Sequence, residues 1–226
     1  MAKYSNKSRI HTVYKAKDGI RVPGVTTVLG ELAKPALIHW AWDLGIKNID
    51  YRVHRDELAD IGTLVHSMVL CDLKGLEPDT DEYSKMQIDK AENCFLSYLE
   101  WKRQRKIEPI LIEESLVSEK HRFGGKMDYF GKIDGVLTLA DFKTGKRLYD
   151  EHRFQLAGYK ALLVENGFPP PDECLLLNIG RDENEKFEEL KRKELGLESE
   201  IFFSALKIYK AKKWMKKGNN QGALFK

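Results

Sequence analysis

Two aspartates and a lysine lie in one stretch whose turn can be located by eye, and their types suit divalent-metal chemistry. The stretch runs from Gly124-Gly125-Lys126-Met127-Asp128 to Asp141-Phe142-Lys143-Thr144-Gly145-Lys146. At its centre is Asp134-Gly135, the dipeptide favoured in two-residue type I′ hairpins, where both central residues take positive φ. With those residues as the turn, Ile133 faces Val136, and counting outward sets Asp128 opposite Asp141 and Lys126 opposite Lys143. The same count places Met127 with Phe142 and Tyr129 with Ala140 on the other face. One face is then apolar and the other gathers two carboxylates and two lysines. Gly131-Lys132-Ile133-Asp134 repeats the form of the segment ending in Asp128, but Asp134 lies in the predicted turn and cannot oppose Asp141.

Like charges directly opposed on a sheet repel. A bound divalent cation relieves that repulsion, and carboxylate oxygens suit Mg²⁺ or Mn²⁺. Without metal, loss of either aspartate should leave stability unchanged or raise it. Lys143 follows Asp141 by two residues on the same face, where it could orient or deprotonate a metal-bound water or stabilise charge developing on a phosphate. The hairpin taken alone is equally consistent with an exposed face of mixed charges.

Other elements must hold this hairpin. Residues 10–30 read as a hairpin: Ile10, Thr12 and Tyr14, a turn at Lys17-Asp18-Gly19, then Ile20, Val22 and Val25-Thr26-Thr27-Val28. A helix is predicted from Pro35, suited to a first helical position, through Trp40 and Trp42. A second runs from Arg55 to Leu73 and stops before Gly75. A third spans Asp81 to Arg105 with an apolar stripe at Ile88, Ala91, Phe95, Tyr98 and Leu99. The period then changes to strands at 110–117, 126–130 and 136–143. A helix follows at 151–165, then a buried strand at 175–179. A lysine-rich helix at 199–217 has its packing stripe at Ile201, Phe202, Ala205, Leu206, Ile208 and Tyr209. This order predicts an α/β fold, a mixed sheet with helices packed on it.

The 226 residues are 42% hydrophobic, which suits a single domain over 1–217. Gly218-Asn219-Asn220 begins an expected flexible tail over 218–226. The net charge of +3 permits a nucleic-acid partner only where positive charge is concentrated. Cys71, Cys94 and Cys174 are far apart, with no CxxC pair to ligate zinc or an iron–sulfur cluster. No apolar run approaches membrane-spanning length and the N-terminus lacks a signal-peptide core, so the expected location is cytoplasmic, with no membrane partner.

Gly125-x-x-Asp128, Asp141-Phe142-Lys143-Thr144-Gly145 and Gln155-x-x-x-Tyr159 together resemble the PD-(D/E)XK nuclease superfamily, with its restriction-endonuclease-like fold. The likeness is greatest to the RecB-like and phage exonuclease branches. Val25-Thr26-Thr27-Val28, Ala33-Lys34-Pro35-Ala36-Leu37, Trp40-Ala41 and Gly62-Thr63-Leu64-Val65-His66 extend it over roughly residues 22–165, in order. The resemblance implies a Mg²⁺-dependent deoxyribonuclease that hydrolyses phosphodiester bonds, an exonuclease of phage-type recombination or processing. Asp128, Asp141, His66, Glu114 and the Phe142 carbonyl would be metal ligands. Lys143 would handle the nucleophile, and Gln155 and Tyr159, sharing a helical face, would complete the catalytic set. Glu113, adjacent to Glu114, points to the opposite face, so that choice depends on register. Gly62, one turn before His66, costs ~1 kcal/mol relative to Ala in mid-helix, which close approach to another element would offset. The chain resembles members without an iron–sulfur cluster. DNA is the implied partner, ring-shaped trimers among phage exonucleases suggest a homo-oligomer, and Lys207, Lys210, Lys212, Lys213, Lys216 and Lys217 could track phosphates. In the tail, Gln221-x-x-Leu224-Phe225 resembles the peptide captured by bacterial sliding clamps. The rival readings are a non-catalytic nucleic-acid-binding module that keeps the fold and an unrelated metal-dependent phosphoesterase of small substrates. Neither a P-loop nor an HExxH sequence supports the second.

Overall fold

The computed structural model describes residues 3–4, 12–181, 185 and 187–216. Its elements run β1 (Lys3–Tyr4), β2 (Tyr14–Lys15), β3 (Arg21–Val22), α1 (Val25–Leu29), α2 (Pro35–Ile46), α3 (Tyr51–Lys74), β4 (Glu77–Pro78) and α4 (Lys85–Arg103). They continue with β5 (Ile107–Ser118), β6 (Phe123–Ile133), β7 (Val136–Thr144), α5 (Asp150–Glu165), β8 (Glu173–Ile179), β9 (Glu188–Arg192) and α6 (Gly196–Lys216). Five strands form the central sheet in the order β5-β6-β7-β8-β9. β5, β6 and β7 are antiparallel, β8 lies parallel to β7 after the α5 crossover, and β9 closes the edge antiparallel to β8. The predicted mixed sheet flanked by helices is therefore the architecture observed.

Each sheet face has its own core. On one, Phe123, Met127 and Phe130 pack with Val25 of α1, Leu156 and Leu162 of α5, and Phe202 of α6. On the other, Tyr129, Ala140 and Phe142 pack with Leu64 and Val65 of α3 and Tyr98 of α4. The helix ends follow local chemistry. Gly75 caps α3 in the left-handed conformation, and Ser84 with Gln87 forms a capping box that starts α4 at Lys85, not Asp81.

Several expectations need correction. Val25–Leu29 is a short helix, not a strand: Val25, Val28 and Leu29 are buried and Thr26 and Thr27 exposed, an i, i+3, i+4 pattern that docks on α5 and α6. β9 was not foreseen, because Glu188-Glu189-Leu190-Lys191-Arg192 has one apolar residue and sits at an edge. In α6 the buried residues are Phe202, Ala205 and Leu206, while Ile201 and Ile208 are exposed. Ile10, Lys217 and the tail residues Gln221, Leu224 and Phe225 lie outside the described residues.

Candidate active site

The hairpin turn falls where the sequence puts it. Asp134 (φ 52°) and Gly135 (φ 84°) are both left-handed, as a type I′ turn requires. Asp134 is also tied to the start of β5, its Oδ1 accepting the Lys106 N–H at 2.8 Å. The ladder follows the expected register from Ile133–Val136 to Tyr129–Ala140.

Beyond that pair the strands part company. Lys126 pairs with Ser115 of β5, and Lys143 with Asn178 of β8. The predicted Lys126–Lys143 opposition is therefore not formed. Nor do Met127 and Phe142 share a face, since Met127 enters the α5-side core and Phe142 the α3-side core. The irregularity is centred on Asp128. On its β5 side, pairing skips Glu113, a non-glycine residue held at φ 59°. On its β7 side, Asp128 Oδ2 accepts the Phe142 N–H at 2.8 Å, replacing a ladder bond with a carboxylate bond.

The parted strands leave room for two neighbouring groups of polar contacts. His66 Nε2 lies 2.9 Å from Asp128 Oδ1. Lys143 Nζ lies 2.6 Å from Asp141 Oδ2 and donates to Gln155 Oε1 at 2.9 Å. Gln155 Nε2 in turn donates to the Tyr159 hydroxyl at 2.7 Å. Six residues named from the sequence thus converge from α3, β6, β7 and α5. Two glycines permit it. A Cβ on Gly62 would lie 2.5 Å from Thr144 Oγ1, so the close approach expected of the His66 helix is to β7. A Cβ on Gly125 would lie 2.7 Å from the Tyr159 ring.

Glu114 is not brought in. It is exposed, and its carboxylate takes no part in the ion pairs among the site residues. The buried carboxylate on β5 is its neighbour Glu113, which binds Lys126 and, at 2.8 Å, Lys74. The left-handed backbone at Glu113 breaks the alternation on which the choice between the two rested. Sequence reasoning also passed over Tyr14, whose ring occupies the space a Cβ on Gly124 would need, and His152 at the start of α5. The Gly124-Gly125 pair was the available signal for Tyr14.

Electrostatics separate the two aspartates. Burial works against the Asp128 charge, but His66, Lys143 and the Phe142 N–H outweigh it and hold the carboxyl below its ordinary range. Asp141 is pushed up to about 6, by burial first and then by the nearby Asp128 charge, with Lys143 opposing. Burial disfavours the charged His66 ring, yet the Asp128 carboxylate raises it above the ordinary histidine value. His152 is lowered to about 3 by burial and by the Lys143 and Lys34 charges. Burial and both aspartates raise the Tyr159 hydroxyl well above the usual tyrosine value.

The donor set suits a divalent cation. Asp141 Oδ2 is buried; it meets the Lys143 ammonium as an ion pair at 2.6 Å, and among the described residues no other donor reaches it. A carboxylate oxygen in that state lacks the solvation it left behind in water. Among the described residues, no three His, Cys, Asp or Glu side chains are grouped closely enough to hold a metal by themselves.

The sequence pattern of the PD-(D/E)XK nuclease superfamily matches residues 39–217. The chain belongs to that superfamily, a class of nucleases. No curated protein matches it. Among solved structures, a candidate exonuclease from Eubacterium rectale superposes with a TM-score of 0.51 at 12% identity, over 74% of this chain and 76% of that one. An alkaline exonuclease from Laribacter hongkongensis matches with a TM-score of 0.31 at 12% identity, over 70% of this chain and 91% of that one. The first likeness is one of fold alone, and the second is too remote to bear on this chain. Among the described residues no helix is long and apolar enough to cross a membrane.

Proposed function

We propose that this chain is a divalent-metal-dependent deoxyribonuclease, and specifically an exonuclease of DNA recombination or processing. The observation that carries the reading is that Asp128 and Asp141 are both buried and near enough for the Asp128 charge to act on Asp141, with Lys143 held between Asp141 and Gln155. Asp128 and Asp141, with the Phe142 carbonyl and His66 alongside, would hold Mg²⁺ or Mn²⁺. Bound there, the ion supplies Lewis acidity at the phosphate and lowers the pKa of a coordinated water. Asp128 is locked by His66 and the Phe142 N–H, so its carboxylate keeps one orientation. Gln155, itself bonded to Tyr159, holds the Lys143 ammonium beside Asp141, where it can orient the nucleophile or neutralise charge on the phosphate. A purely binding module has no use for a buried carboxylate pair beside a phosphate, which favours catalysis over that alternative.

The test is digestion of matched linear and covalently closed circular duplex DNA, with Mg²⁺ or with EDTA. Hydrolysis of the linear form alone, abolished by EDTA and by Asp128→Ala, Asp141→Ala or Lys143→Ala in folded protein, is the expected result. Cleavage of circles would replace exonuclease with endonuclease. Full activity in Asp141→Ala would end the site assignment.

A further inference from the structure

His152 lies on the face of α5 that reaches the site, three residues before Gln155. One side of its ring is fixed, since Nδ1 accepts the Tyr149 N–H at 3.2 Å and the Tyr149 ring meets it edge-on. With Nδ1 an acceptor, the neutral ring carries its proton on Nε2, and no acceptor among the described residues takes that N–H. Two ammonium groups stand nearby. Lys143 is held one turn along by Gln155 at 2.9 Å, and Lys34, before α2, lies 3.8 Å from Glu151, too far for a hydrogen bond. Burial, then the Lys143 and Lys34 charges, keep the ring uncharged, lowering it to about 3. We infer that His152 and Lys34 form a subsite for one backbone phosphate of the DNA strand, the Nε2–H and the ammonium donating to its non-bridging oxygens.

The inference rests on the nuclease reading and deepens it. Capping alone does not call for an imidazole, because a short Asn or Asp side chain accepts a backbone N–H at a helix start equally well. The second ring nitrogen is what the cap leaves over. The surroundings suit an anion there: a phosphate is attracted by both lysines and can accept from a ring that carries no charge. The carboxylates beside it do not cancel that attraction. Glu151 is only loosely paired with Lys34, and Asp150 is taken up by Arg153 at 2.6 Å. Spacing then selects a neighbouring phosphate of the same strand. His152 and Gln155 are about 4.5 Å apart along the helix axis, comparable with the ~3.4 Å of axis per nucleotide of one strand. A strand whose scissile phosphate lies by Asp141 and Lys143 brings its next phosphate to His152.

The test is binding of a short duplex to full-length Asp141→Ala protein in Mg²⁺, read by fluorescence anisotropy. One neutral methylphosphonate is moved linkage by linkage inward from the end. At one linkage it should cost the parent about tenfold in affinity, and there cost His152→Asn/Lys34→Ala nothing. Single variants separate this role from capping. His152→Asn keeps an acceptor for the Tyr149 N–H but loses the Nε2 donor, so it should bind as weakly as His152→Ala. His152→Gln returns an amide N–H near the Nε2 position and should recover most of the affinity. Loss of the neutral ring should leave the slope of log affinity against log salt unchanged, whereas Lys34→Ala should flatten it by about 0.9. Parental affinity in His152→Asn together with a loss in His152→Gln would make the residue a cap only and overturn the inference. So would a methylphosphonate penalty that His152→Asn/Lys34→Ala shares at every linkage. Wild-type cleavage of DNA in Mg²⁺ tells these failures from that of the nuclease reading: a wild type that neither binds nor cleaves DNA removes both.

Discussion

The Asp128 carboxylate accepts the Phe142 N–H and faces the His66 ring, whereas Asp141 Oδ2 meets the Lys143 ammonium and, among the described residues, no other donor. The sequence treats the two aspartates as equivalent, so loss of either was expected to leave metal-free stability unchanged or higher. Their surroundings divide that expectation. Asp128→Ala strands a buried N–H and a histidine and should cost about 1–3 kcal/mol. Asp141→Asn should be stabilising in chelated protein at neutral pH. The sign follows from proton uptake. With a folded value of about 6 and an ordinary value near 4, Asp141 binds more protons folded than unfolded between those values. Stability is therefore fully present below pH ~4 and declines as pH rises through 6, by about 3 kcal/mol at most. Thermal melts in EDTA from pH 4 to 8 should show this decline in wild type and a flatter profile in Asp141→Asn, and Mg²⁺ should restore wild-type stability at pH 7. A wild type that gains stability across this range would mean that Asp141 is not the strained carboxylate. Side-chain identity was legible here because the motif residues are unusual in type and spacing. Their protonation was not, because it depends on which partner each oxygen meets.

At the scale of elements, the site depends on α3 lying close against β7. Gly62 is where the two touch, and a methyl group there would meet Thr144 Oγ1 at 2.5 Å. Gly62→Ala should gain ~1 kcal/mol of helix propensity but lose about 1–3 kcal/mol to overpacking, and by displacing His66 it should lower DNA cleavage by tenfold or more. Thr144→Ala should relieve the contact, so Gly62→Ala/Thr144→Ala should recover part of both losses. Strict additivity of the two changes in urea unfolding and in cleavage rate would sink the idea. The glycine was visible in the sequence as a mid-helix anomaly, but not the strand it admits. The same limit applies along β6. The Asp134-Gly135 turn set the register correctly over five pairs, because turn chemistry and alternation are local. The departure at Asp128 was hidden, since it arises where Glu113 takes a left-handed backbone and a carboxylate replaces a ladder partner. α1 misled for a different reason. Its β-branched residues favour strand, and burial against α5 and α6 overrides them.

Across the whole molecule the net charge is only +3, so the DNA binding that the proposed function requires would have to come from local concentrations of charge. Within residues 218–226, Gln221-x-x-Leu224-Phe225 resembles the peptide that bacterial sliding clamps capture. A peptide of residues 217–226 should bind a bacterial sliding clamp with micromolar affinity, on the order of −8 kcal/mol, and lose it on Leu224→Ala/Phe225→Ala; no binding of the wild-type peptide at high micromolar clamp would remove the clamp from the list of partners. The larger concentration is on α6. Phe202, Ala205 and Leu206 anchor that helix on the α5-side core, and Lys207, Lys210, Lys212, Lys213 and Lys216 are exposed along it. They are not equivalent. Lys212 is held by Glu31 at 2.6 Å, and Lys213 lies over the Tyr209 ring. A lysine already paired with a carboxylate releases little counterion when a phosphate approaches, so Lys212 should contribute less to DNA binding than Lys213 or Lys216. Each phosphate contact changes the slope of log affinity against log salt by about 0.9. Lys213→Glu/Lys216→Glu should therefore flatten that slope by about 2 in catalytically dead Asp141→Ala protein, and Lys212→Ala by much less. Measuring binding of a short duplex by fluorescence anisotropy between about 50 and 200 mM salt separates the cases. An unchanged slope in the double variant would mean that these lysines are a solvated face, and that the phosphates run elsewhere on the molecule.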